Sequence, residues 1–569
     1  MKLESATTNP ANTSLATVLT YHQRTKHHFA AYAQGPDTLD WDAQPAPFRR
    51  FINIPSIQLL NFNESLQDPA LLAAITRPFV TMGNTIPPLP FSLSTLGELL
   101  HLALGITAWK SYGPDRWAVR ANPSSGNLHP IEAYVLVQGL HGLPDGVYHY
   151  CPDSHVLECR ADIACEPDSM PMLQIGLISV MWREAWKYGE RAFRYCQLDT
   201  GHAVGALSYA AQTLGWTLTE HKKISTDALA HLLGVDRNAD FPAHRQPETE
   251  REEAELLLSV SFNSKTVRAE PVEAQESITP TNWQGTASNI DAHPIYRWPV
   301  IEEVAIASRQ LASRQAATAH NAEMLPTSKA NVAAENNQIS TGSVILGRRS
   351  AQRFNANHTM PAQDFIAMLE VLLPKDSAPW KALSSPPRIN IILFVHRVEG
   401  FNTGLYLLTR EPSLATKLDT HLSQQFLRKS VENIPAHLNL QFLTPAPAGE
   451  LHRAARSLHC HQDIAANACF ALGMLAEYDG VITDNPSAYR ELHREAGLIG
   501  QVLYLQAEMI GLRGTGIGCF FDDPIHELHG LTDETFQTIY HFTVGLALDD
   551  TRIENIPTST LTAMKARIL

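Results

Sequence analysis

Residues 132–150, EAYVLVQGLHGLPDGVYHY, lie on residues 390–408, NIILFVHRVEGFNTGLYLL, without a gap and at an offset of 258 at both ends. Each stretch reads as strand, turn, strand, with Gly146-Val147-Tyr148 falling on Gly404-Leu405-Tyr406. Further on, Leu207-x3-Ala211-x3-Gly215 matches Leu503-x3-Ala507-x3-Gly511. Both are small-residue helices ending at glycine. Each half then closes with a strand, around 255–261 and 540–546. Matches in a common order predict an internal duplication, so the chain must fold as two related α+β units.

The length of 569 residues suits two to four domains of about 100–200 residues each. Apolar residues make up 44%, which supplies real cores and excludes wholesale disorder. The patterning places a first unit at 56–262 and a second at 341–569. Residues 1–55 are polar and rich in Pro, Gln, His and Asp, and read as an extended arm. Residues 263–340 are dominated by Ala, Ser, Thr, Asn, Gln and Glu, and read as a linker, mobile in part. In the first unit Leu93, Leu96, Leu99, Leu100, Leu102 and Ala103 recur at helical spacing before the stop signal Gly105.

The net charge is −14, from 44 Lys and Arg against 58 Asp and Glu. That balance argues against nucleic acid and anionic membrane surfaces as partners. No apolar run reaches about 18 residues and the first residues carry no secretory pattern, so a cytoplasmic chain is expected. Seven cysteines without a CxxC motif suit reduced thiols better than a disulfide framework.

Three segments carry chemistry. Arg120-Ala-Asn-Pro123-Ser124-Ser125-Gly-Asn127-Leu-His-Pro130 is a turn whose hydroxyls and backbone N–H groups can point one way. Gly347-Arg348-Arg349-Ser350-Ala-Gln-Arg353-Phe354 sets three arginines within six residues, one followed by a hydroxyl, as a phosphate would require. Gly511-Leu-Arg-Gly514-Thr515-Gly516-Ile-Gly518-Cys519 is a glycine-rich loop after a helix, whose backbone can approach a flat ligand closely. An ordinary capped loop, a solvated basic turn and a flexible connection are the bland alternatives for the three.

Taken together in a duplicated α+β chain, these segments resemble the nitroreductase superfamily of FMN-binding oxidoreductases. Within it the chain resembles the SagB/ThcOx-type azoline dehydrogenases. Further stretches that carry the likeness are Tyr21-His22-x2-Thr25-Lys26, Asp40-Trp41-Asp42, Gln44-Pro45-x-Pro47-Phe48, DGVYHYCPDSHVLE and EAWKYGERAFRYCQLDTGHA, residues 184–203. The resemblance implies two fused domains, each a mainly antiparallel sheet wrapped by helices, with FMN at their interface. Arg348, Arg349 and Ser350 would hold its phosphate end. The turn would contribute Arg120, Pro123, Ser124, Ser125 and Asn127. Gly514, Thr515, Gly516 and Gly518 would lie against the isoalloxazine ring.

The resemblance also implies catalytic roles for Lys187 and Tyr188. Oxidising an azoline to the aromatic azole sends a hydride to flavin N5 and a proton to a base, with O2 as the final acceptor. Lysine starts near pKa 10.4, so it needs burial or a positive neighbour to act as that base. Arg183, Arg191 and Arg194 are close in sequence and are the expected source of such a field. The substrate would be a peptide or small molecule. The alternatives are an NAD(P)H-dependent reductase of nitroaromatics, quinones or flavins, and a non-catalytic subunit of a peptide-modifying complex.

Each half departs from the family pattern. Where the first half should carry an arginine pair it reads Phe79-Val80-Thr81-Met82-Gly83-Asn84. Where the second half should repeat the turn it reads Lys381-Ala382-Leu383-Ser384-Ser385. Each half thus lacks what the other keeps, and one complete site across an intrachain pseudo-dimer interface is expected. No metal is expected at His459-Cys460-His461, which lacks a second cluster at ligand spacing. Cys519 reads as a packing cysteine and Asp522-Asp523 as a helix cap.

Overall fold

Two helices of 22 residues each, one per half, run through the centre of the molecule and pack on each other. The computed structural model describes residues 10–60, 67–164, 170–243, 246–262, 278–311 and 338–558. The helices that position the site are α1 (Pro10–Arg24), α2 (Leu93–Leu104), α3 (Met181–Tyr188), α4 (Ala192–Thr213), α5 (Pro299–Ala307), α6 (Ala488–Met509) and α7 (Asp522–His529). Every residue of α4 except Gln212 is buried, and so is every residue of α6 except Glu491 and Glu508. Small residues make this possible. A Cβ on Gly201 would sit 2.1 Å from the Arg494 carbonyl oxygen, and one on Gly497 would sit 2.0 Å from that of Leu198. The two contacts are related by the same shift of 296 that lays Leu207 on Leu503, so the duplicated helices meet at their own counterparts. α2 begins at a capping box between Ser92 and Thr95 and ends at Gly105, as its spacing predicts.

The principal strands of the first half are β1 (Ile106–Tyr112), β2 (Asp115–Arg120), β3 (Ile131–Gln138), β4 (Gly146–Cys151), β5 (Val156–Ile163), β6 (Met172–Ser179), β7 (Thr217–Glu220) and β8 (Glu253–Ser261). Those of the second are β9 (Ile389–Val395), β10 (Gly404–Leu408), β11 (Leu440–Pro445), β12 (Phe470–Glu477), β13 (Arg513–Ile517) and β14 (Phe536–Gly545), followed by β15 (Glu554–Pro557). The first sheet runs β7-β8-β6-β3-β4-β5 and the second β13-β14-β12-β9-β10-β11, antiparallel throughout. The orders agree strand for strand. The register agrees too: Glu220 faces Leu258 in the first sheet as Gly516 faces Phe542 in the second. β15 leaves the second half and pairs with β1, making a small sheet β15-β1-β2 that belongs to both halves.

Two expectations change. Residues 1–55 are not an extended arm throughout, because 10–24 form α1. Val18 and Tyr21 are fully buried, and His22 lies between the Tyr489 hydroxyl at 3.3 Å and the Gln537 side-chain oxygen at 3.2 Å. Leu15, Val18, Leu19 and His22 share one helical face, a short amphipathic signal that the polar surroundings obscure. The linker also contains built structure. Over 278–311 the chain packs Trp283 and Gly285 against Arg160 and buries Ile301 and Val304 of α5, while Arg490 donates to the Ala305 carbonyl. The rest of the expected mobile stretch, 263–277 and 312–337, lies outside the described residues. Among the described residues no helix is long and apolar enough to cross a membrane.

Candidate active site

The turn after β2 is held by its own side chains. Gly126, Asn127 and His129 have φ of 58°, 60° and 53°, the left-handed region that glycine and asparagine tolerate best. The Ser124 hydroxyl accepts from the His129 N–H at 2.8 Å, and the Asn127 amide donates to the Ala118 carbonyl at 2.8 Å. From α4, the Asp199 carboxylate accepts from both the N–H and the hydroxyl of Ser125. Burial pushes the Asp199 carboxyl up to about 7, against the downward pull of its serine partners. The turn is therefore braced against the central helix.

In the second half, the Arg-Arg-Ser bend is joined to β13. The Ala351 N–H donates to the Gly514 carbonyl, and the Thr515 hydroxyl donates to the Ala351 carbonyl at 2.6 Å. The Tyr504 hydroxyl from α6 meets both the Ser350 hydroxyl at 2.9 Å and the Gly516 N–H at 3.0 Å. The glycine segment read as a loop is thus an edge strand over 513–517. Its glycines admit aromatic neighbours: a Cβ on Gly516 would lie 1.7 Å from the Tyr540 hydroxyl.

The two pieces face each other across a cleft of about 340 Å³. It is lined by Arg120, Pro123, Ser124, Ser125 and Asn127 from the first half, and by Arg348, Arg349, Ser350, Thr515, Gly516 and Gly518 from the second. Tyr188 lines it as well. Gly514 and Lys187 stand just behind the lining. The Lys187 Nζ would be 3.1 Å, and the Tyr188 hydroxyl 2.6 Å, from a Cβ on Gly126. Sequence reasoning passed over Lys110, Tyr195, Asp199, His202, Tyr504 and Tyr540, which also line the cleft. Asp199 and His202 did carry a signal, as polar residues on an otherwise small and apolar helix.

The electrostatics of the cleft are unbalanced. Arg49, Arg160, Arg183, Arg191, Arg194, Arg410, Arg490 and Arg494 are buried, and each is ion-paired with a carboxylate. Among the described residues, the other buried arginines are Arg120, Arg348 and Arg349, and none of these three forms a salt bridge. All three line the cleft. Arg348 donates to the Ala121 and Arg120 carbonyls at 3.0 and 2.9 Å, and Arg349 to Thr107, so the motif of the second half is seated on the first. The Nε atoms of Arg120 and Arg349 are buried without a partner. Burial, then the charge of Arg348, pushes the Arg349 guanidinium down to about 9, and burial takes Arg120 down to about 10. Arginine does not surrender its proton in practice, so these shifts mark burial that Glu508 near Arg348 and Arg349, and Glu132 near Arg120, offset only in part, and that an anion would relieve further.

Lys187 is half-buried, 5.3 Å from the ring of Trp41. Burial lowers its pKa, and the nearby Glu184 opposes that shift. The expected arginine field is not the cause. Arg183 is committed to Glu132, and Arg191 and Arg194 to Asp522. Asp522 is accordingly a buried ion-pair centre and not the simple helix cap that its position suggests. One metal-like cluster, His149, Cys151 and Glu158, is buried in the first half. There both ring nitrogens of His149 lie 3.1 Å from carboxylates, of Glu158 and Glu132, so the ring is already engaged in ion pairs.

The counterpart of the cleft is closed. Under the two repeat offsets, Gly126 corresponds to Ser384 and Gly516 to Glu220. Gly126 and Gly516 both line the cleft, whereas the Ser384 N–H donates directly to the Glu220 carboxylate at 2.9 Å.

Residues 345–546 match the model of the nitroreductase family. A protein of Methanocaldococcus jannaschii described as a nitroreductase is 28% identical over 137 residues, 22% of this chain and 66% of that protein. The trifolitoxin-processing protein TfxB of Rhizobium leguminosarum bv. trifolii is 29% identical over 181 residues, 28% of this chain and 47% of its own. The chain therefore spans less than two thirds of the length of either of these curated relatives. The crystal structure of a protein from Anabaena variabilis described as a nitroreductase superposes with a TM-score of 0.65 at 22% identity, covering 94% of this chain and 99% of that one. Residues 345–546 thus carry the pattern of the nitroreductase family, and nearly the whole chain shares its fold with the Anabaena variabilis protein.

Proposed function

We propose that the chain is an FMN-dependent oxidoreductase that binds one flavin, in the cleft between its halves, and dehydrogenates an azoline-type ring in a peptide or small molecule. The observation that carries this reading is the set of three buried arginines without carboxylate partners, gathered in one cleft. A phosphomonoester supplies the missing anion, and Arg348 and Arg349 with the Ser350 hydroxyl are the groups to hold it. Gly126 and Gly516 line the cleft without side chains, and Ser124, Ser125 and Asn127 line it with polar groups, as the edge of a flat ring would need. FMN, when bound, would accept two electrons as a hydride.

The rest falls to the chain. Lys187, lowered by burial, takes the proton that leaves with the hydride. Tyr188 lines the cleft beside it and orients the substrate. Trp41, next to Lys187, and Phe29 and Tyr32, against Phe521, are exposed aromatics that offer an apolar approach. The likeness to a trifolitoxin-processing protein supports a role in modifying a toxin-like product.

Titrating the purified chain with FMN tests the reading. It predicts one tight flavin per chain, and no binding or two equal sites overturns it. Anaerobic mixing of the flavin-loaded chain with an azoline-bearing peptide should bleach the flavin. Bleaching by NAD(P)H alone would favour the reductase alternative, which the M. jannaschii relative's description supports.

A further inference from the structure

Cys519 follows β13 directly and lines the cleft. The Phe521 N–H donates to the Leu458 carbonyl at 2.9 Å, which sets the segment of Cys519 against that of Cys460, and the imidazole of His27 is also near. Cys460 comes from the turn after the helix Ala448–Leu458, where Cys460 and His461 both hold left-handed backbone, with φ of 51° and 59°. Non-glycine residues seldom adopt that conformation, and two in succession are costly unless the surroundings fix them. The Gln462 amide helps to fix them by donating to the Cys519 carbonyl at 3.3 Å. On the other side, His27 Nδ1 accepts from the Ala33 N–H at 2.8 Å. That leaves Nε2 as the protonated nitrogen of the neutral ring. Arg191 donates to the neighbouring Gly518 carbonyl at 3.0 Å. Among the described cysteines Cys159, Cys460 and Cys519 are partly exposed, whereas Cys151, Cys196 and Cys469 are buried; of the three, only Cys519 lines the cleft.

We propose that Cys460 and Cys519 form a redox-active dithiol at the edge of the cleft, one that closes to a disulfide by exchange with a low-molecular-weight disulfide. The roles of the two sulfurs differ. The neighbouring Cys460, with His27 and Arg191, holds the Cys519 thiol below its usual range against burial. The same pairing, with burial, pushes Cys460 up. Tyr32, Tyr188, Tyr195 and Asp522 are the other titratable groups near the pair. Cys519 is therefore the attacking thiolate and Cys460 the resolving thiol.

In the first step the Cys519 sulfur attacks one sulfur of R–S–S–R. That bond breaks, a Cys519–S–S–R bond forms and RS⁻ leaves. In the second step the Cys460 sulfur attacks the Cys519 sulfur, expels the second RS⁻ and gives its proton to solvent. The protein thiols lose two electrons and the small disulfide gains them.

The probe is 5,5′-dithiobis(2-nitrobenzoate) on the full chain. The wild type should release about two thionitrobenzoates per chain in a fast phase, at least about 10-fold faster than free glutathione reacts. A non-reducing peptide map should then show the Cys460–Cys519 disulfide and no adduct. Cys460→Ser should release one in that phase and keep a stable adduct on Cys519. Cys519→Ser should lose the phase, and His27→Gln should slow it about 5-fold. A wild-type map with the adduct retained on Cys519 overturns the proposal, and so does a fast phase that survives Cys519→Ser. Neither result bears on flavin binding, since no thiol is assigned to it.

Discussion

The two halves share a strand order, a register and a central helix, yet their equivalent positions between the halves have opposite fates. On one side the Gly126 turn and Gly516 stand apart and leave a cleft of about 340 Å³. On the other side Ser384 and Glu220 hydrogen-bond at 2.9 Å and leave no room for a ring. The central helices differ in the same sense. Asp199 faces the cleft with only serine partners, whereas its counterpart Glu495 is paired with Arg410 at 2.7 Å and accepts from the Arg388 N–H. Two matching frames thus leave a cleft at one pair of positions, while the equivalent pair is closed by a contact within the chain. Divergence needed few residues, because a single carboxylate in place of a glycine both occupies the space and finds a partner.

Substitutions on the two sides should separate these fates. The largest effect is expected for Arg348→Ala combined with Arg349→Ala. Loss of two charge-assisted partners should weaken FMN binding by about 10³-fold, or about 4 kcal/mol, in a fluorescence titration. Lys381→Ala, on the closed side, should leave it unchanged. Equal losses on both sides would break the comparison.

Glu495→Gln should cost about 3 kcal/mol in denaturant melts, because it leaves the fully buried Arg410 without its ion-pair partner. Lys187→Ala should lower kcat about 10²-fold while flavin content stays constant. Unchanged turnover would remove that amine from the chemistry. Gly516→Ala should cost about 2 kcal/mol and reduce flavin content, since its methyl collides with Tyr540. Glu220→Ala on the closed side should cost about 1 kcal/mol, without opening a second flavin site.

The smallest effect concerns pH. The folded-state pKa of Asp199, about 7, is above its ordinary value near 4. The stability it contributes is full below about pH 4 and is lost as pH rises through 7. Asp199→Asn should therefore gain on the wild type between pH 5 and pH 8, by about 1 kcal/mol after allowance for its hydrogen bonds. A gap that does not change with pH would mean that Asp199 is ionised throughout.

Much of the frame was legible in the residues. The strand–turn–strand repeat and the Leu-x3-Ala-x3-Gly helices depend on side-chain spacing along one element, and spacing is local information. The Pro-Ser-Ser-Gly-Asn turn and the Arg-Arg-Ser bend were legible for the same reason. α1 was not, because three apolar positions and a histidine among polar neighbours signal a buried face only when another surface is there to cover them. The glycine segment 513–517 was misread as a loop, because glycine does not favour a strand and only the aromatics of β14 and α6 explain its presence. The source of the lowered Lys187 pKa was also hidden. Sequence proximity suggested three arginines, but ion pairing with Glu132 and Asp522 had already engaged them.

The sequence by itself indicated two similar halves, each keeping motifs that the other lacks. Only the tertiary structure decided that these parts meet, that the other pair closes on itself, and that three particular buried arginines form no salt bridge. The physical reason is that residue type and spacing act within a few bonds, whereas a charge is compensated by whatever the fold brings within about 4 Å of it. Arg349 and Arg410 are both buried arginines in the sequence of the second half. Only the fold gives one of them a glutamate and the other an open cleft.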